Sequence, residues 1–275
     1  MVTAEPLVVI TPSHRWVALD LPGLWSYREL LYFLTWRDVK IRYKQTALGI
    51  GWALLQPLLT LLVFTILFGK MAKIPSGGQP YTTFVLAGIL PWTFFANAVT
   101  ASSNSLVTNA NLIGKVYFPR LIMPAATVLA ATVDLGLSFV LMFGLYAYHR
   151  VPYTLNILLL PALVLLTILL ALAVGAFFSA LNVKYRDVRY ALPLLIQLAM
   201  YATPVIYPLS LVPAQWRPLL ILNPMASVIE AYRTCLLGGV FDWQSLGIAA
   251  AATVAILVGS AFYFRSVEKG FADIL

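Results

Sequence analysis

Six apolar runs, each near the length that crosses a bilayer, constrain this chain more than any other feature. A transmembrane helix needs about 20 mostly apolar residues. Runs of that kind fall at roughly 49–68, 82–101, 121–148, 157–181, 190–207 and 245–264. Hydrophobic residues make up 61% of the 275 and charged residues 10%, against roughly 45–50% and about 25% in soluble domains. A chain of this size cannot hide so much apolar surface in its own interior. The expected fold is therefore an all-α integral membrane protein with six transmembrane helices.

The charges between the runs set the orientation. RDVKIRYKQTALGIGWALLQPLL places Arg37, Lys40, Arg42 and Lys44 directly before the first run, and no charge follows until Lys70. Arg15 and Arg28 lie on the same side, as do Lys115, Arg120, Lys184, Arg186, Arg189, Arg265 and Lys269. The opposite side holds Lys70, Lys73, Arg150, Arg217 and Arg233. By the positive-inside rule both termini are cytoplasmic. The net charge of +8 is thus a topology signal, and no nucleic-acid partner is needed to explain it.

The N-terminus, MVTAEPLVVITPSHRW, lacks a basic start followed by a sustained apolar core, so no cleaved signal peptide is expected. Pro6, Pro12 and Pro22 argue for an extended cytoplasmic tail over 1–26. The transmembrane domain then occupies 27–275. Its first part, 27–46, is too charged to span. It carries Leu30, Leu31, Phe33 and Leu34 at helical spacing, with Tyr27, Trp36 and Tyr43 as rings suited to an interface. An amphipathic helix in the inner headgroup layer, basic side toward anionic lipid, fits this pattern. A solvated basic linker is the alternative.

Between the second and third runs, SSNSLVTNANLIGKVYFPRLIMP is rich in Ser, Asn and Thr. That composition suits a helix end leaving the membrane or facing a cavity. NVKYRDVRY (182–190) is a short, charge-dense loop on the same side, either a docking surface or a plain topological anchor. The stretch from Thr203 to Gly239 holds Pro204, Pro208, Pro213, Pro218 and Pro224. Its apolar pieces are too short to cross, so outer re-entrant or surface-lying half-helices are expected there. Glu230 and Arg233, three apart, suit one helical face.

Asp134 is the acid inside a span, sharing its face with Thr127, Ala131 and Ser138. An intramembrane carboxylate suggests function by default, and a helix–helix hydrogen bond is the competing reading. Gln56, Thr60 and Phe64 share a face of the first run, as Gln197 and Tyr201 do in the fifth. Rings beside amides suit sugars, so these five are candidate pore-lining residues. The single cysteine, Cys235, forms no intrachain disulfide. No phosphate-binding G-x-x-x-x-G-K-[ST] loop and no H-E-x-x-H motif occurs, and no catalytic triad, metal site or bound cofactor is expected. Energy for active transport must then come from an ion gradient or another chain, and one intramembrane acid favours another chain.

Several of these stretches, in this order, resemble one family: the membrane-spanning subunits of ABC-2-type polysaccharide exporters, which move O-antigen, capsule or teichoic-acid chains. RDVKIRYKQTALGIGWALLQPLL is similar to that family's interfacial helix and first span. GILPWTFFANAV and NLIGKVYFPRLIMPAA are similar to its second span and following loop. NVKYRDVRYALPLLIQLAMYATPVIYP, LNPMASVIEAYRTCLLG and the ending FRSVEKGFADIL complete the likeness over roughly 27–275. The resemblance implies a homodimer around a pore, in the bacterial inner membrane, moving a lipid-linked polysaccharide. It implies two separate nucleotide-binding ATPase subunits that bind ATP and Mg. These would dock around Asn111, Lys115, Tyr117 and Arg120, with Lys184, Arg186 and Arg189 nearby. Trp216, Glu230 and Arg233 would belong to an outer gate. The rivals are an ABC-2 permease for drugs or small lipids, a polytopic glycosyl- or acyltransferase, and a secondary transporter.

Overall fold

Lipid offers no partner to backbone amides, so a chain that lives there must satisfy them internally. Among the described residues every regular element is accordingly a helix. The computed structural model describes residues 21–44, 49–150, 154–268 and 270–271. Most of the expected 1–26 tail, residues 45–48 ahead of the first span, and Lys269 lie outside them.

The chain opens with α1 (Leu21–Ser26) and α2 (Arg28–Tyr43), then α3 (Gly51–Phe64), which widens into a π-helical stretch at Thr65–Met71. Next come α4 (Tyr81–Thr108), the single turn α5 (Ala110–Ile113), and α6 (Ile122–His149). A 3-10 stretch, Leu155–Leu159, leads into α7 (Leu160–Lys184), and α8 (Val188–Ala202) follows. The outer segment contains two 3-10 turns, α9 (Arg217–Ile221) and α10 (Pro224–Leu237). The last helix, α11, runs over Trp243–Glu268.

Five helices are long and apolar enough to cross a membrane: Gly51–Met71, Tyr81–Thr108, Ile122–His149, Leu155–Lys184 and Trp243–Glu268. The run at 190–207 differs from expectation. Only α8, 15 residues long, is helical there, a rise of about 22 Å against about 30 Å of hydrocarbon. The cause is local. Pro204 disfavours helical backbone in the residue before it, and Thr203 is extended at φ −96°, ψ 140°. The non-helical residues Thr203, Val205 and Ile206 are nonetheless buried.

The second span also differs, in the other direction. It does not end near 101 but stays helical to Thr108. Its Ser and Asn side chains bond back to its own turns: Ser103 to the Thr100 carbonyl at 2.8 Å, Asn104 to the same carbonyl at 2.9 Å, Ser105 to that of Ser102 at 2.7 Å. Satisfied in this way, Ser103 and Ser105 are buried, as is Ser102, whose hydroxyl donates to the Pro124 carbonyl of α6 at 3.4 Å.

Helix α4 is the centre of the bundle. Two-thirds of its apolar window (67%) is buried, against 28% or less in the other four spans. Helices α6 and α7 pack along it, and α10 covers its outer end. Small residues permit close approach, the usual device where lipid removes the hydrophobic drive between helices. A Cβ on Gly175 would sit 2.5 Å from the Ser102 hydroxyl, and one on Gly88 2.5 Å from the Val205 carbonyl oxygen. A second cluster (Leu34, Ile113, Phe118, Ile122, Met123 and Ala126 among its members) fastens α2 to the beginning of α6 and to the loop before it.

Candidate functional site

The basic block at the end of α2 meets the acid of α6. Arg42 forms an ion pair with one Asp134 oxygen, and the Tyr43 hydroxyl donates to the other. Burial, and then the carboxylate beside it, push the Tyr43 phenol above its ordinary range, so it remains a donor. Of the two readings of Asp134, the helix–helix bond is what the geometry contains, but its partner is α2 rather than another span. The four basic residues thereby divide. Lys40 and Lys44 are exposed. Arg42 is taken by Asp134, and Arg37 lies against its neighbour Asp38 at 2.9 Å.

Above this ion pair lies a cavity of about 430 Å³ walled by α2, α3, α4 and α6. Helix α4 contributes Thr93, Asn97, Thr100 and Asn104, spaced 4, 3 and 4 apart and so on one face. Gln56, Trp52 and Phe94 line it as well, with Ser138 beside Asp134. The Gln56 reading thus leads to a real hollow. Thr60 instead donates to the Gln56 carbonyl at 2.9 Å, and Phe64 packs its ring against Phe68. Gln197 and Tyr201 are exposed on α8 and do not line this cavity. Sequence reasoning missed the α4 stripe, although its 4-3-4 polar spacing inside an apolar helix was the signal that marks it.

At the outer end, Arg233 of α10 is buried, its side chain 4% exposed. It donates to Glu230 at 3.1 Å, to the Val205 carbonyl at 2.6 Å and to the Tyr207 carbonyl at 3.3 Å. Its guanidinium lies 3.9 Å from the centre of the Phe84 ring. Tyr81 donates to the Ile206 carbonyl at 3.0 Å. Irregular backbone at membrane depth needs such internal donors, and Arg233 supplies most of them here. The Glu230–Arg233 pair therefore forms, with Glu230 reaching toward solvent. Trp216 is exposed on the turn ahead of α9 and takes no part in this network.

At the opposite end, Asn182 of α7 donates to the Ser103 carbonyl at 2.9 Å and to the Asn104 side chain at 3.2 Å. These ends of α4 and α7 are held together, so both basic loops emerge on the same side of the bundle. Ile113 and Phe118 are buried, and the tip they brace presents Lys115 and Tyr117, the latter 76% exposed. Asn111, Lys184, Arg186 and Arg189 are exposed too. Arg120 turns inward. Its guanidinium bonds the Glu268 carbonyl, its backbone N–H donates to the Glu268 carboxylate at 3.1 Å, and it lies over Phe271. Among the described residues, no group of His, Cys, Asp and Glu is placed to hold a metal.

Residues 29–237 match the family model described as ABC-2 type transporter. The chain is 33% identical over 254 residues to the O-antigen export system permease protein RfbA of Myxococcus xanthus, covering 91% of this chain and 96% of that protein. It is 29% identical to the Klebsiella pneumoniae protein of the same description, over 90% and 95% of the two. It is 24% identical to the polysialic acid transport protein KpsM of Escherichia coli, over 82% and 89%.

Proposed function

This chain belongs to the ABC-2 type transporter family, and from that premise we propose that it is the membrane-spanning subunit of an ATP-driven exporter of lipid-linked polysaccharide, O-antigen first among them. The observation that carries this is end-to-end similarity to relatives described as O-antigen export permeases. The chain is a multi-pass membrane protein, with five helices long enough to cross. Helix α8 would be the sixth crossing, shortened at Pro204 and completed by the outer segment.

Two copies would enclose the pore in the bacterial inner membrane, with both termini cytoplasmic. Each copy would work with a separate nucleotide-binding subunit that holds ATP and Mg, since this chain has no phosphate-binding loop. The exposed tip at Lys115–Tyr117 and the exposed Lys184, Arg186 and Arg189 offer that subunit a basic, aromatic-tipped face. Arg120 contributes indirectly by tying the docking loop to the tail at Glu268. The short helices between Leu209 and Leu237 would shape the exit.

The test has two parts. Deleting the gene should abolish surface O-antigen, read on polysaccharide gels, while glycan accumulates inside. The purified chain should hydrolyse ATP negligibly alone and rapidly once its partner is added. Normal surface O-antigen after deletion, or full ATP turnover by the chain alone, overturns the proposal. The likeness to a polysialic acid transporter supports a second substrate, an acidic capsule, which the same deletion distinguishes by the polymer lost.

A further inference from the structure

The cavity between α2, α3, α4 and α6 lies within a single chain. Its volume of about 430 Å³ falls within the roughly 300–1,000 Å³ usual for small-molecule sites. Two of its polar side chains are left open to a ligand. Gln56 and Asn97 are exposed toward the cavity, and neither amide has a protein hydrogen-bond partner among the described residues. Asn104 and Ser138, by contrast, are already bonded within the helices. Both amides are therefore available to bond a ligand that enters the cavity, in place of the water that would otherwise meet them.

The charge in the wall is cancelled. Arg42 and Tyr43 occupy both Asp134 oxygens, and among the described lining residues no second cation stands beside them to hold a phosphate. What remains is a set of amide and hydroxyl dipoles and the exposed ring of Trp52, with the buried Phe94 in the wall. Rings cover the C–H faces of a pyranose, and planar amides bond pairs of its hydroxyls. We propose that this cavity is a sugar-binding subsite for one neutral ring of the glycan. The proposal rests on the export function argued above.

The test uses the full chain with its partner ATPase in cells. In a Cys235→Ser background, Ala53→Cys and, separately, Ala101→Cys, both in the cavity wall, are treated with N-ethylmaleimide, and labelling rates are compared. One strain makes the glycan but carries an inactive ATPase partner, so that the glycan stalls. The other carries the same inactive partner and is blocked in glycan synthesis. Val254→Cys, exposed on α11, is the control. A bound ring slows labelling by a factor of one plus ligand over Kd, roughly fivefold at four times Kd. Slower labelling at 53 and 101 with the glycan present, and an unchanged control, supports the subsite. Equal rates in both strains overturn it, the hollow then holding water only. Surface glycan that persists without this chain overturns the export function itself, a result the labelling cannot imitate.

Discussion

Arg233 illustrates how one side chain can decide whether a broken helix is tolerated. Removing it leaves the Val205 and Tyr207 carbonyls without their donor, at about 1–3 kcal/mol for each group. Arg233→Met should therefore lower the thermal unfolding midpoint of the purified protein by several degrees, and Arg233→Lys should recover only part of the loss, because one ammonium cannot reach both carbonyls and Glu230 as the guanidinium fork does. Asp134→Asn should behave differently. It keeps an acceptor for Tyr43 and loses only the ion pair with a partly exposed Arg42, so folding and export should both remain close to normal. Complete loss of export with normal folding would instead make Asp134 a proton carrier. Both residues stood out in the sequence, since charges are rare in apolar runs. Their partners did not, because Arg42 lies 92 positions from Asp134 and Val205 lies 28 from Arg233, distances that no local pattern encodes.

Among the helices, close packing separates glycines that look alike in sequence. A methyl group at Gly88 would press on the Val205 carbonyl at 2.5 Å, whereas one at Gly136 would meet nothing within 4 Å. Gly88→Ala should destabilise the protein and loosen the outer cap, visible as faster proteolysis around Tyr207. Gly136→Ala should be neutral or stabilising by up to about 1 kcal/mol, the difference in helix propensity. The apolar runs announced five long helices directly. Two boundaries were not legible in the same way. The run at 190–207 looked continuous because hydropathy does not register that Pro204 turns Thr203 out of the helix. Helix α4 looked shorter than it is because its serines and asparagines read as surface, when they bond to their own turns and to Asn182. The Thr93–Asn97–Thr100–Asn104 stripe was readable by spacing, yet its meaning depended on which helices stand opposite.

For the whole molecule, the proposed function makes the face that carries α2 and the two basic loops the place where partner and membrane must both be satisfied. Tyr117→Ala removes an exposed ring at the tip of the loop proposed to dock the ATPase, and a buried aromatic anchor in an interface is commonly worth more than 1 kcal/mol. Affinity for the ATPase subunit should fall by about tenfold or more, measured by co-purification and by partner-stimulated ATP hydrolysis, while the isolated chain folds unchanged. Lys40→Glu with Lys44→Glu should act on the membrane instead. Each basic residue near an anionic leaflet contributes about 1 kcal/mol, so reversal should shift α2 out of the headgroup layer or misorient the first span, detected by thiol accessibility on either side. Arg42→Glu should be the harsher change, because it sets two carboxylates against each other at Asp134.

Arg233 also imposes an order on synthesis. The carbonyls it serves at Val205 and Tyr207 are made 28 and 26 residues before it. At about 5–20 residues per second they wait on the order of one to six seconds for their donor. During that interval the end of α8 has only water or the insertion machinery to bond, and it cannot settle beside α4. This cap can therefore close only once α10 has been made, with α11 still to follow it in the chain.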